Sequence, residues 1–177
     1  MISTDPGHPT LLPLPAAAVH SLALGDLAAA DAVVPVTLTP YLVSADRIGL
    51  WRMRSRQLLD TPGDLPWITG LVVAGEQVVG AAGFHAAPDD RGMVEIGYGI
   101  DPQYRRRGHA RAALEAMLAR ARREPVVTVV RACVRPDNTP SLNLLAQYGF
   151  RAVGEQWDDE DGLETVFEVD PRDAHRR

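Results

Sequence analysis

Apolar positions change their period near residue 67, which divides the chain into a helical third and a strand-rich remainder. Leu11-Leu12 reads as a short strand, and Ala16 to Val33, rich in alanine and leucine, predicts one or two helices until Pro35 and Pro40 break the pattern. Ser44 stands where it can cap a further helix from Ala45 to Leu59, with Ile48, Trp51, Arg52, Ser55 and Leu59 on one face and Thr61-Pro62-Gly63 ending it. From Trp67 the spacing becomes that of strands. Ile68 to Ala74, Gly75-Glu76 and Gln77 to His85 predict a hairpin, and the polar stretch Ala86 to Gly92 leads into a strand from Met93 to Ile100. In that strand Val94, Ile96, Tyr98 and Ile100 alternate with Glu95, Gly97 and Gly99, so one face packs and the other is bare except for a carboxylate.

Gly108 to Arg123 carries the clearest helical period, with Ala110, Ala113, Leu114, Met117, Leu118 and Ala121 on one stripe. Val126 to Val134 is a β-branched run of the kind covered on both faces. Asn138 or Thr139 caps a short helix with Pro140 in its first turn and Gly149 as its C′ stop. Phe150 to Trp157 and Leu163 to Val169 form a closing hairpin. Residues 1–9 and 171–177 read as flexible ends of a single domain spanning 1–177. The element order predicts an α/β layout around a mixed sheet flanked by helices.

With 46% hydrophobic and 23% charged residues, the composition is that of a globular chain. Its 18 Lys+Arg against 23 Asp+Glu argue against nucleic acid as a partner of the whole surface. The stretch Leu11 to Val36 is apolar, but no Lys or Arg precedes it, three prolines interrupt it, and His20, Asp26 and Asp31 would have to enter lipid. A cytoplasmic protein without a membrane anchor is therefore expected, and the single cysteine, Cys133, fits a reducing compartment. A homodimer is left open.

Charge matters where it collects. Seven arginines and two glutamates lie between Arg105 and Glu124, a local +5 in a chain of net −5. The segment Tyr104-Arg105-Arg106-Arg107-Gly108-His109-Ala110-Arg111 opens the strong helix, where unpaired backbone N–H groups and the helix dipole favour an anion. Gly108 removes the side chain that would block close approach, and arginine forks suit phosphate oxygens. The plainer reading is a solvated helix face with a glycine turn. No P-loop is present, and Gly97-x-Gly99 lacks the third glycine of a dinucleotide fingerprint. No cluster has metal-ligand spacing. Cys133 reads as a small core residue, His85 as a surface residue within reach of a substrate, and Trp51 and Trp67 as core or as pocket wall.

Arg105-x-x-Gly108-x-Ala110 resembles the pyrophosphate-binding motif of the GNAT superfamily of acetyl-CoA-dependent N-acyltransferases. Val94-Glu95-Ile96-Gly97-Tyr98 before it, and Arg135-Pro136-Asp137-Asn138-Thr139-Pro140-Ser141 and Tyr148-Gly149-Phe150 after it, are similar to the ribosomal-protein N-terminal acetyltransferase group. The likeness runs over about residues 66 to 169. It implies a GNAT-like acyl-CoA N-acyltransferase fold whose central mixed sheet is splayed, with acetyl-CoA as co-substrate. By the same likeness Arg105, Arg106, Arg107, Gly108, His109, Ala110 and Arg111 would bind pyrophosphate, Ile100 would pair its backbone with pantetheine, and Asn138 with Ser141 would flank the arm. The acceptor would be an amine, either a small molecule or a protein N-terminus.

Such a reaction needs a neutral amine, and Glu95 is the candidate base; the plainer reading is an exposed strand-edge glutamate. Leu145 stands where many members carry a tyrosine that protonates the departing thiolate, so Ser141 becomes the hydroxyl candidate, although serine is ordinary in a first helical turn. The alternatives to an enzyme are a non-catalytic acyl-CoA-binding regulatory module on the same fold and, third, a nucleic-acid-binding module using the arginine helix.

Overall fold

The structure, a computed structural model, describes residues 9–159 and 162–175. Its strands are β1 (Thr10–Leu12), β2 (Gly70–Ala74), β3 (Gln77–Phe84), β4 (Met93–Ile100), β5 (Val129–Val134), β6 (Arg151–Asp158) and β7 (Gly162–Val169). Its helices are α1 (Ala16–Ala23), α2 (Leu27–Asp31), α3 (Ala45–Asp60), α4 (His109–Arg123) and α5 (Thr139–Ala146). The expected mixed α/β layout is present, and β4 occupies the expected residues.

The chain divides into two compact units, and β4 and α4 each run through both. The first reaches Ala87 and takes up Gly97–Ala116; the second is Pro88–Ile96 with the chain from Met117 onward. Strand order is β1-β2-β3-β4 in the first and β4-β5-β7-β6 in the second. β1, β2 and β3 pair antiparallel, as do β5 with β7 and β6 with β7, whereas β4 and β5 pair parallel. The parallel ladder joins Met93 to Val129, Val94 to Val130 and Glu95 to Arg131, then stops although both strands continue.

The core of the first unit is built from α1, α3 and the β2-β3 hairpin. Val19, Leu22, Leu42, Trp51, Leu71 and Ala81 are fully enclosed, and the Trp51 indole N–H donates to the Leu42 carbonyl at 2.8 Å, so the largest core side chain has its polar atom satisfied. Its buried α3 face is Trp51, Arg54 and Leu58. This corrects the predicted stripe, since Leu59 is 74% exposed. Arg54 belongs inside because its guanidinium meets Gln57 Oε1 at 2.8 Å and the His85 carbonyl at 3.0 Å. Gln57 in turn donates to Asp64 Oδ2 (2.6 Å) and to the same carbonyl (2.8 Å). Ser44 precedes α3 without a side-chain capping bond, contrary to expectation, and its Oγ is shielded with no partner.

In the second unit three expectations change. β5 starts at Val129, not Val126, and its burial alternates: Val130, Ala132 and Val134 are inside, while Val126 is 62% exposed. Asn138 does cap α5, accepting from the Ser141 N–H at 3.3 Å, but the helix closes at Gln147, so Gly149 with φ +78° follows one residue beyond C′. The predicted loose tail, 171–177, is tied down as far as His175, because Pro171 and Ala174 are buried and the Ala174 carbonyl accepts from Arg122 Nη1 at 2.9 Å; residues 176 and 177 lie outside the described residues. Of the predicted N-terminal lead-in, residues 1–8 lie outside the described residues.

Trp51→Ala is expected to cost about 3–5 kcal/mol, through the lost side-chain volume and the carbonyl left unpaired. A urea unfolding curve whose midpoint falls at constant slope would show it.

Candidate functional site

In the first unit the candidate site is the turn between β4 and α4. Asp101, 5% exposed, accepts from the Gln103 N–H and its amide at 3.1 and 3.0 Å, which ends the strand in a tight turn. Arg105, Arg106, Arg107 and Gly108 are exposed; His109, Ala110 and Arg111 are half-buried. The α4 ladder opens with the Ala112 N–H on the Gly108 carbonyl at 3.0 Å, so the N–H groups just before it lie outside the ladder. Gly108 has φ +84°, a conformation β-carbons resist, and no heavy atom lies within 4 Å of where its Cβ would stand. Arg106 also has a positive φ, +60°, without being glycine. Such backbone costs on the order of 1–3 kcal/mol and recurs at ligand clamps.

The arginines of this turn are not equivalent. Arg105 Nε donates to the Ile100 carbonyl at 3.0 Å, which ties it to the strand end and leaves its terminal nitrogens out of that bond. Ile100, 7% exposed, therefore offers a carbonyl that is already engaged. The Arg107 guanidinium lies over the Tyr104 ring at 5.6 Å. Burial, and then the Arg107 charge, hold the His109 imidazole below its usual pKa, so it is neutral at pH 7, with Nδ1 shielded and unpartnered. An open glycine turn, N–H groups that precede the helical ladder and exposed guanidinium groups fit a pyrophosphate group.

The glycine face of β4 is not bare in this unit, which corrects the expectation. A Cβ on Gly97 would stand 2.9 Å from His85 Nε2, and one on Gly99 only 2.7 Å from Arg47 Nη1. Glycine here leaves seats for an imidazole and a guanidinium. Of the tryptophans, Trp51 is core, and Trp67 is half-buried with its ring edge-on to Phe84 at 5.4 Å.

In the second unit Cys133, Val134, Arg135, Asp137, Asn138, Pro140 and Glu164 line an open cavity of about 410 Å³. Asn138, the α5 cap, faces this space, whereas half-buried Ser141 is not part of the wall. Glu95 reaches this region through Cys133, whose thiol is hydrogen-bonded to it. Cys133 is half-buried, not enclosed core. Burial first, then the Glu95 carboxylate, push its thiol up to about 12, which excludes a thiolate nucleophile near neutral pH. Glu164, 9% exposed, accepts from Gln156 at 3.1 Å. Arg131, beside Glu95 in the ladder, is fixed by Glu168 at 2.6 and 3.0 Å.

Sequence reasoning passed over Arg47, Cys133 as a wall residue, and Glu164. For Arg47 the available signal was Gly99 itself, a strand residue without a side chain that something else must cover. Among the described residues, no group of acidic, histidine and cysteine side chains could hold a metal, and no helix is long and apolar enough to cross a membrane.

The sequence profile of the acetyltransferase (GNAT) domain matches residues 22–151, and the chain belongs to that family. It is 32% identical over 74 residues to YjdG of Bacillus subtilis strain 168, described as an uncharacterized N-acetyltransferase; the match covers 42% of this chain and 44% of that protein's own length. Among solved structures, the microcin C7 self-immunity acetyltransferase MccE, in complex with acetyl-CoA and AMP, superposes with a TM-score of 0.62 at 14% identity, over 94% of this chain and 97% of that one. RimL, a ribosomal L7/L12 alpha-N-protein acetyltransferase in complex with coenzyme A, gives a TM-score of 0.64 at 19% identity, over 96% of both chains. At these identities the structures establish the fold.

Cys133 is expected to react slowly with a thiol reagent at pH 8, since a pKa about four units higher leaves roughly one thiol in 10⁴ ionised. Glu95→Gln removes a carboxylate that raises this pKa, so the labelling rate should rise; an unchanged rate would show that Glu95 does not act on the thiol.

Proposed function

We propose that the protein is an N-acetyltransferase that moves the acetyl group of acetyl-CoA to a primary amine by direct attack in a ternary complex. Family membership supports the reaction class, and the observation that carries the reading to this chain is the open, positive-φ turn at Gly108 beside three exposed arginines. Acetyl-CoA supplies the thioester. The turn from Arg105 to Arg111 holds the pyrophosphate through backbone N–H groups and guanidinium forks, Ile100 lies beside the pantetheine path, and Asn138 flanks the arm.

The amine nitrogen attacks the thioester carbon, the carbon–sulfur bond breaks, and the thiolate takes a proton. Glu95 removes the proton from the ammonium form, directly or through water. An α-amine titrates near 8 and a lysine near 10.4, so the lysine costs about 3 kcal/mol more to deprotonate at pH 7. A positioned base of this kind contributes about 10²–10⁴-fold. Ser141 is assigned the proton for the thiolate. The fully buried Leu145 favours one second reading, an acyl-CoA-binding module without turnover, because it puts no hydroxyl where many relatives have one. Release of free thiol in the presence of an amine panel separates the two. The acceptor class stays within amines, a protein N-terminus or a small molecule.

Gly108→Val should abolish CoA binding measured by calorimetry while circular dichroism stays unchanged, because a branched side chain fills the turn and resists its φ. Unchanged affinity in a folded variant would remove the basis of the reading. Arg105→Ala should weaken binding less, by about 1.5–3 kcal/mol, since the backbone donors remain. Glu95→Gln should lower kcat and leave CoA affinity nearly unchanged, with a loss that shrinks as pH rises and is larger for lysine-like acceptors than for α-amines. A pH-independent loss would count against Glu95 as base.

A further inference from the structure

Arg47 lies on the third residue of α3, and its guanidinium rests on the backbone of β4 at Gly99. A Cβ at that position would stand 2.7 Å from Nη1, 3.0 Å from Cζ and 3.1 Å from Nη2. The other neighbour is Tyr41, whose ring centroid is 5.7 Å from Cζ. Arg47 is half-buried, and its Nε is shielded from solvent without a hydrogen-bond partner. No acid lies within ion-pair distance of it among the described residues. Asp101, the buried carboxylate of this region, is engaged by Gln103 through both oxygens.

A guanidinium cannot shed its charge within the range a protein survives, so the positive charge persists whatever the pH. Half-buried over the Tyr41 ring, and ion-paired with neither Asp101 nor Asp46, whose charges also reach that tyrosine, the guanidinium has donors that an arriving anion can take up. Glycine at position 99 leaves the guanidinium room against the strand, where a β-carbon would make the end of this side chain shift. The chemistry on offer is one planar fork and one phenol. Burial keeps the Tyr41 hydroxyl protonated, against the pull of Arg47 and Arg105, so it remains a neutral donor. One fixed cation with one neutral donor matches a single negative charge of planar geometry, whereas the arginine turn from Arg105 to Arg107 is suited to a polyanion.

We propose that Arg47 binds a carboxylate of the acceptor, so that the acceptor is an amine that also carries an acid group, with free amino acids as the simplest members. The proposal rests on the transferase reading for its biological meaning, but binding can be tested without turnover.

The test uses free amino acids, each paired with its own amide, against the wild type, Arg47→Met and Arg47→Lys. Met keeps most of the apolar stem and removes the charge; Lys keeps the charge and loses the fork. With acetyl-CoA, the wild type should favour the acids. Arg47→Met should raise KM for the acid about 10- to 100-fold while moving that for the amide by less than about twofold, the size expected of one charged hydrogen-bonded contact. Arg47→Lys should fall between, and CoA affinity should not change. Thermal melting of Arg47→Met should not fall below that of the wild type, because the variant removes an uncompensated charge. Equal losses on acid and amide, or a wild-type preference for amides, would overturn the assignment. A fall in CoA affinity would overturn it too, by giving Arg47 to a phosphate of the coenzyme. If CoA fails to bind the wild type, it is the transferase reading that falls. Calorimetry with the amino acids and amides alone then decides Arg47, where saturable heat from acids that disappears in Arg47→Met supports it and its absence overturns it.

Discussion

Two glycines on one face of β4 set the terms for what surrounds that strand in the first unit. A strand of ordinary residues would present a β-carbon at every second position, and at both sites a side-chain end now occupies that space: His85 Nε2 at Gly97 and the Arg47 guanidinium at Gly99. The neighbouring strand shows the same tightness, since a Cβ on Gly80 of β3 would collide with the Gly99 carbonyl oxygen. Backbone therefore packs on backbone and on two nitrogen-rich side chains, where a hydrocarbon layer would normally lie. The carriers of those side chains are fixed in turn. Arg54 and Gln57 of α3 converge on the carbonyl of His85, and Asp64 Oδ1 accepts from the Ala87 N–H at 3.0 Å. The bonds from Arg54 Nη1 to Gln57 Oε1 and to the His85 carbonyl help an arginine at 4% exposure to be tolerated in the core.

The elements that could be read from the sequence were those with a strong, uninterrupted period. β4, α4 and both hairpins fall within a residue or two of their expected bounds, because alternation or a 3.6-residue stripe sufficed to define them. The stripe on α3 was misread for a definite reason. Leu59 was placed on the same face as Trp51 and Arg54 was not, whereas a carbonyl and an amide at the right distance brought the arginine in. Val126 was assigned to a strand on its β-branched character, yet the turn that includes Gly92 and Thr128 governs this stretch, with Thr128 Oγ1 donating to the Arg91 carbonyl at 2.9 Å. In both places tertiary hydrogen bonds outweighed local preference.

Legibility of the site followed a different rule. The turn from Arg105 to Ala110 was visible because its parts are contiguous, and a short motif at a strand-to-helix junction carries its own geometry. Cys133 as a cavity wall residue, Glu164 and Arg47 were not, because each meets its neighbours across long sequence separation. Glu164 sits in a strand where Leu163, not Glu164, would be chosen for the inside, yet Leu163 is 43% exposed and Glu164 is 9% exposed. Hydrophobicity alone therefore does not give the inward face at this end of β7.

Several groups in this chain stand in states that local physics disfavours: Arg106 at φ +60°, Arg47 with a shielded Nε, and His109 with a shielded Nδ1. They lie on α3 and on the turn that opens α4, while the helix stripes and hairpins nearby obey ordinary packing. A folding sequence under no other demand would replace each: glycine or asparagine at 106, a neutral side chain at 47, an apolar one at 109. A ligand bringing negative charge or hydrogen-bond acceptors would satisfy Arg47 and could meet His109, whereas the φ of Arg106 is a backbone strain that such a ligand leaves in place. Under the proposed function, such unmet polar groups would contribute to binding an anionic ligand, which a small domain could then hold without a large apolar pocket.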